Sequence, residues 1–279
     1  MIITERLSAD DYAPTKDLVY VDTLMLHPLF DKLAFRSNLI LVGPKGIAKT
    51  LSVAAWAAKQ DCPIITFDCS EDVRRGQLIG TFALRGGESP FVLGPIPSAI
   101  EIANERGQCV LCFEEINALT PQCQKMLNSI SDFRRKIELP ECRQVFRLDT
   151  DAKLWVVGTM NFSVYGGVYE LNEDLKSRFR ILPLKYPSKG DEMGIIQQVL
   201  GKLDAKEKEL VKNLLTLAHE TRQKSLAYAL SPRDLLQIIL DARACGLETA
   251  LWLASGKFEG QDREYYKTRV ESIFGSKVS

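Results

Sequence analysis

The sequence predicts an α/β fold: a parallel sheet flanked by helices, followed by an all-helical C-terminal part. Three observations predict it. Short, continuous apolar runs recur through the first part of the 279 residues. Segments long enough to hold crossover helices separate these runs. Beyond about Lys185 the runs stop and only helix-like patterns remain.

The elements follow in order. Leu39-Ile40-Leu41-Val42 ends at Gly43, Ile64-Ile65-Thr66-Phe67 at Asp68, and Cys109-Val110-Leu111-Cys112-Phe113 at Glu114-Glu115. Leu154-Trp155-Val156-Val157 ends at Gly158, and Ile181-Leu182-Pro183-Leu184 is a weaker fifth run. Runs without polar alternation suit strands covered on both faces, as in a parallel sheet. Thr120-Pro121 places a capping hydroxyl before a proline and predicts a helix to about Ile130. Ser231-Pro232-Arg233-Asp234 repeats the device with an acid three residues after the cap; its helix should stop near Gly246. Residues 192–203, 206–219 and 248–255 also read as helices. The pattern changes near Tyr186-Pro187-Ser188-Lys189-Gly190. Residues 1–185 are therefore expected to form an α/β domain and 186–279 a helical lid docked on it.

Composition excludes several classes. Hydrophobic residues make up 46% and charged residues 26%, as in globular domains. Thirty-six basic side chains balance thirty-six acidic ones. A zero balance argues against nucleic acid as a partner held by bulk electrostatics. The seven cysteines are odd in number and scattered. With no signal-peptide pattern at Met1-Ile2-Ile3-Thr4-Glu5-Arg6 and no apolar span, a cytoplasmic protein with reduced thiols and no membrane segment is expected. Cys109 and Cys112 have metal-like spacing, but on one strand they point to opposite faces and read as core. His27 and His219 stand alone. Arg134-Arg135-Lys136 and Arg74-Arg75 read as solvated charge runs.

The strongest chemical signal is Gly43-Pro44-Lys45-Gly46-Ile47-Ala48-Lys49-Thr50, between a buried strand and an Ala-rich helix that continues from Leu51. That is the context of a phosphate-binding P-loop. Its N–H groups and the helix N-terminus would surround phosphates. Lys49 would reach the β/γ-phosphates, and the Thr50 hydroxyl would ligate Mg²⁺. Ala48 stands where a glycine is usual, and its methyl group disfavours a positive φ. Glu114 and Glu115 open from the third strand. In a P-loop NTPase the first acid here helps hold Mg²⁺ and the second polarises the attacking water. Asn161, after the fourth strand, suits positioning of water or γ-phosphate; alone, such an Asn is more often a turn residue. Arg178 and Arg180 flank Phe179 before the fifth strand. Arginine stabilises charge on a transferring phosphoryl group and can be supplied in trans. Alone, the pair reads as a solvated basic turn. Arg233, in the lid, could read the γ-phosphate or be an exposed charge in a first turn.

In this order the motifs resemble the Walker A, Walker B, sensor 1, arginine-finger and sensor 2 motifs of AAA+ ATPases. The chain more narrowly resembles the MoxR branch, with its CbbQ-, NirQ- and NorQ-like members. Gly94-Pro95-Ile96-Pro97, Gly158-Thr159-Met160-Asn161-Phe162, Tyr165-Gly166-Gly167-Val168-Tyr169-Glu170-Leu171-Asn172 and Leu230-Ser231-Pro232-Arg233-Asp234-Leu235-Leu236 also carry the likeness. It covers roughly residues 35 to 256. Lys45, Ala48 and Glu114 (for the usual Asp) depart from the pattern.

The resemblance implies ATP and Mg²⁺ as ligands and a homo-oligomeric, usually hexameric, ring with ATP between subunits. Arg178 would act on a neighbour's nucleotide, with Arg180 as the substitute. Two inserted hairpins are implied: about 81–92, turning at Arg85-Gly86-Gly87, and about 136–151, turning at Pro140-Glu141-Cys142. They would contact a client, often a metal- or cofactor-containing enzyme, and a von Willebrand A domain partner is implied. The expected function is ATP-driven remodelling of a partner protein. The alternatives are a weakly hydrolysing assembly switch, which Ala48 and Glu114 favour, and a nucleic-acid-directed motor subunit.

Overall fold

Each apolar run of the sequence supplies a strand, the fifth run extending one residue past its strand to Leu184, and the five strands join in one parallel sheet. The computed structural model describes residues 4–84, 86–161, 169–224 and 226–275. Contacts divide the chain into two units: Met1–Pro44 with Ala48–Leu184, and Lys185–Ser279 with Lys45–Ile47.

The first unit begins with β1 (Thr4–Glu5), α1 (Leu26–Leu33), β2 (Asn38–Val42), α2 (Lys49–Lys59) and β3 (Ile64–Asp68). It continues through α3 (Arg75–Ile79), β4 (Gly80–Phe82), β5 (Phe91–Leu93), α4 (Pro95–Arg106) and β6 (Gln108–Glu114). Then come α5 (Pro121–Met126), α6 (Asn128–Ser131), β7 (Lys136–Leu139), β8 (Gln144–Arg147), β9 (Lys153–Met160), α7 (Glu173–Lys176) and β10 (Phe179–Pro183). The main sheet runs β10-β2-β9-β6-β3, every pair parallel. Its central strands are buried on both faces, as the unbroken apolar runs require: Leu39–Leu41, Cys109–Phe113 and Leu154–Val157 are all buried. The β10 run is weaker because β10 is an edge strand, where Ile181 is exposed and a proline is tolerated.

Aromatic packing fixes α1 and α2 to the sheet. The Trp56 and Trp155 rings lie 4.9 Å apart, and Phe30 meets Trp155 edge-on at 5.4 Å. Both indoles are satisfied, Trp155 by the Ser37 carbonyl at 3.0 Å and Trp56 by Asp31 Oδ1 at 2.8 Å. α4 buries Ile96, Ala99, Ile100 and Ala103 in the main core.

Two small sheets lie outside the main one. β4 and β5 pair antiparallel, and β1 adds to β5 in parallel, Thr4 opposite Phe91. The β4–β5 connection contains Gly86 and Gly87, both with positive φ; Arg85 lies outside the described residues. β7 and β8 form a second antiparallel pair, closed by the Arg143 N–H donating to the Pro140 carbonyl at 3.2 Å. The helix expected from Thr120 to Ile130 is interrupted after Met126. There the Leu127 N–H reaches only three residues back, to the Gln124 carbonyl at 3.1 Å.

The second unit contains α8 (Lys189–Leu200), α9 (Ala205–Gln223), α10 (Pro232–Cys245), α11 (Leu247–Ser255) and α12 (Gly260–Phe274). Leu214, Leu217, Leu235, Ile239, Leu251 and Tyr266 build its core. The Arg222 guanidinium donates to both Glu192 oxygens, at 3.0 and 2.8 Å, and lies 3.9 Å over the Tyr186 ring. Among the described residues no helix is long and apolar enough to cross a membrane.

Candidate nucleotide site

Parallel strands deliver their carboxyl ends to one edge, and here β2, β9 and β6 are neighbours. The loop after β2 is tied to β9 by the Gly43 N–H, which donates to the Met160 carbonyl at 3.2 Å. Gly46 and Ala48 both take positive φ, +74° and +62°. Ala48 is the residue before α2 and gives the helix no side-chain cap. The Ala48 methyl group thus offers no hydrogen bond to the N–H groups of the first turn of α2, which includes Thr50 and Leu51. A helix N-terminus beside a buried ammonium fits an anion such as a triphosphate.

That ammonium belongs to Lys49, which is 9% exposed. Its Nζ donates to the Gly43 carbonyl at 2.9 Å, the Pro44 carbonyl at 2.8 Å and Asn161 Oδ1 at 2.9 Å. Asn161 Nδ2 in turn donates to Glu115 Oε1 at 2.9 Å. Lys49, Asn161 and Glu115 therefore form one hydrogen-bonded chain across three adjacent strand ends. Glu115 sits at φ +51°, which turns the backbone sharply just after β6. Glu114 ends β6 in register with Asp68 of β3. The Thr50 hydroxyl and the Glu114 carboxylate are hard oxygen donors, a set that fits Mg²⁺. Of the remaining loop residues, Pro44 and Ile47 are buried and Lys45 is exposed.

Arg178 is placed elsewhere. It precedes β10, whose Phe179 pairs with Asn38 at the start of β2, whereas Gly43 follows the end of β2. The five-residue strand between them spans about 16 Å. Arg178 Nη1 donates to the Asp174 carbonyl, and its Nε lies 3.7 Å from Asp132 Oδ2. Arg180 is exposed, with Nε donating to Ser37 Oγ at 3.1 Å. Arg233 belongs to the second unit, exposed in the first turn of α10. Phe162 and Tyr165 to Val168 lie outside the described residues.

Arg134-Arg135-Lys136 is not a uniformly solvated run. Arg135 is largely buried, and its Nη1 donates to the Ile130 carbonyl at 2.9 Å and to Asn38 Oδ1 at 3.3 Å. Burial lowers its pKa, partly countered by Asp132. The cysteines of β6 are core residues. Cys109 and Cys112 are fully buried, and burial pushes both thiol pKa values up. Among the described residues no cluster of His, Cys, Asp or Glu is arranged to hold a metal without other donors. His27 stacks on Tyr20 at 4.9 Å, its Nε2 3.0 Å from the Ser52 carbonyl.

Three polar residues that build the site's surroundings carried no sequence signal beyond being polar. Gln124, fully buried, accepts the Asn172 N–H at 2.8 Å and so holds the start of α7. Asn38 Nδ2 donates to the Ser131 carbonyl at 2.7 Å and the Arg178 carbonyl at 3.1 Å. Asp132 lies between Arg134 and Arg178.

Residues 38–179 match the model of the AAA domain, dynein-related subfamily. The chain belongs to this AAA family. The uncharacterised protein YojN of Bacillus subtilis is 29% identical to the AAA chain over 204 residues, 71% of this chain and 63% of that protein. An uncharacterised Staphylococcus aureus protein (strain USA300) is 29% identical over 163 residues, 57% of this chain and 58% of that one. The chain thus spans 58–63% of the length of these curated relatives. A Cytophaga hutchinsonii crystal structure of a protein proposed to be an ATPase is similar at TM-score 0.52 and 18% identity, covering 92% of this chain and 91% of that one. Brucella abortus NtrX is similar at TM-score 0.50 and 16% identity, covering 82% and 52%. At these identities the two structures speak to the AAA fold alone.

Proposed function

We propose that this AAA domain hydrolyses ATP within a ring oligomer, hexameric as in the MoxR branch it resembles, and uses the energy to remodel a partner protein. The observation that carries the proposal is the Lys49–Asn161–Glu115 chain. It joins a phosphate-binding cation, an orienting amide and a carboxylate base on one sheet edge. Lys49 and the loop amides bind the β/γ-phosphates. Glu115 accepts a proton from the attacking water, and Asn161 holds that water and the base in line. Mg²⁺, held by Thr50 and Glu114, neutralises charge on the phosphates when bound. Arg178 stabilises the transition state on a neighbouring subunit's nucleotide. Its position at the opposite end of the sheet from its own P-loop supports action in trans. Arg233 reads the γ-phosphate from the lid. The two hairpins contact the client, and a von Willebrand A domain protein is the implied partner. A cytosolic setting suits its seven free thiols.

The test is steady-state ATP turnover. Glu115→Gln should lower kcat by about 10²-fold or more while still binding ATP. Wild-type specific activity should rise with protein concentration as rings form. Parent-rate turnover by Glu115→Gln would overturn the assignment. A concentration-independent, near-zero rate with tight ATP binding would favour the second reading, a nucleotide-dependent switch. Ala48 at positive φ in the cradle favours that reading.

A further inference from the structure

We propose that Asp132 is the positioning residue for Arg178, aligning its guanidinium for the neighbouring subunit's nucleotide. This rests on the ring and trans-finger reading above. Asp132 follows α6, and its side chain is 13% exposed. Its carboxylate accepts from the Arg134 N–H at 2.9 Å, from Arg134 Nε at 3.1 and 3.0 Å, and from Arg134 Nη2 at 2.7 Å. The same Oδ2 lies 3.7 Å from Arg178 Nε.

The backbone beneath this contact is clamped. One buried amide, Asn38 Nδ2, donates to both the Ser131 and the Arg178 carbonyls, so the residue before the carboxylate and the finger itself share one anchor. Arg135 braces the amide from behind. On its far side Arg178 Nη1 is held by the Asp174 carbonyl. Nε is buried and makes no hydrogen bond, only the longer ion pair with Asp132. Nη2 makes no hydrogen bond among the described residues. Two of the three nitrogens are thus steered from within the subunit, and the third is left for an incoming group. Hydrogen bonds from Arg134 come first among the influences that lower the Asp132 pKa, so the carboxylate is charged at neutral pH. Phe133, 92% exposed, stands beside it. A guanidinium that must meet charge on another molecule reacts faster when it is aligned in advance, since a displacement near 1 Å costs about 10²-fold in rate.

Asp132→Asn tests this directly. The Asn keeps an oxygen for the Arg134 N–H, so the local turn survives, and removes the charge facing Arg178. The variant should show kcat down about 10²-fold, with KM for ATP and the thermal midpoint close to wild type. Mixing supplies the readout that a purely structural role would not move. Asp132→Asn alone and Glu115→Gln alone should both be slow. An equimolar mixture should regain turnover, because a Glu115→Gln subunit lends an aligned Arg178 to a neighbour with an intact base. Arg178→Ala mixed with Glu115→Gln is the control. If that control regains activity while Asp132→Asn turns over at the parent rate, the inference fails and the trans finger stands. The inference also fails if the control regains activity and the Asp132→Asn mixture stays slow. If Arg178→Ala itself hydrolyses at the parent rate, the finger reading falls and takes the inference with it.

Discussion

Two residues beside the Lys49 ammonium, Ala48 at φ +62° and Glu115 at φ +51°, occupy the left-handed region without being glycine. Such conformations cost free energy for an L-residue and concentrate where function demands a particular backbone. Ala48→Gly should therefore raise stability by about 1 kcal/mol, the relief outweighing the added freedom of the unfolded chain. Denaturant unfolding of the nucleotide-free protein measures it; an unchanged or lower midpoint would mean the methyl group is well accommodated. At this scale the sequence supplied residue types and their order. Lys49, Asn161 and Glu115 are recognisable candidates because each follows an apolar run. Their mutual contacts were not legible, since Lys49 and Asn161 meet only after the chain has folded β2 beside β9. Asp132 was invisible for the same reason: its partner Arg178 is brought near by Asn38, not by spacing.

Helix α10 shows what an element can disclose by itself. Its capping box is local, Ser231 accepting from the Asp234 N–H and Asp234 accepting from the Ser231 N–H, so four consecutive letters reveal it. Asp234 also accepts from Tyr228 Oη at 2.8 Å and pairs with Lys257. Burial alone would raise its pKa, but the bonds from Lys257, Ser231 and Tyr228 prevail and hold it below the usual value. A folded pKa below the unfolded one stabilises the fold above that range, and the contribution fades as pH falls through the folded value. Asp234→Asn should cost about 1–3 kcal/mol at pH 7. The gap from wild type should narrow in acid as pH falls through the lowered folded value, and close once both side chains are neutral. A gap that persists in acid would mean the amide disrupts packing and that charge is not the cause. Non-local elements were harder to read. β1 has two residues and pairs across more than eighty positions. Arg135 looked solvated because three adjacent basic residues conceal which one turns inward.

Across the whole molecule, six of the seven thiols are buried and Cys245 alone is exposed. Burial pushes Cys62 up to about 12, and raises Cys69, Cys109 and Cys112 further. At pH 8 a thiol reagent should modify one site quickly and the other six only on unfolding. More than one fast site would show that the interior opens. The strand order β10-β2-β9-β6-β3 was beyond the sequence, because identical-looking apolar runs fit any position in a parallel sheet. The edge character of β10 was partly legible in its weaker run. β1 carries a practical consequence. Thr4 and Glu5 are stitched to Phe91 and Val92 of the β4–β5 hairpin. A purification tag fused ahead of Thr4 therefore emerges beside that hairpin; on the client-contact role proposed above, it should blunt client binding while leaving ATP turnover untouched.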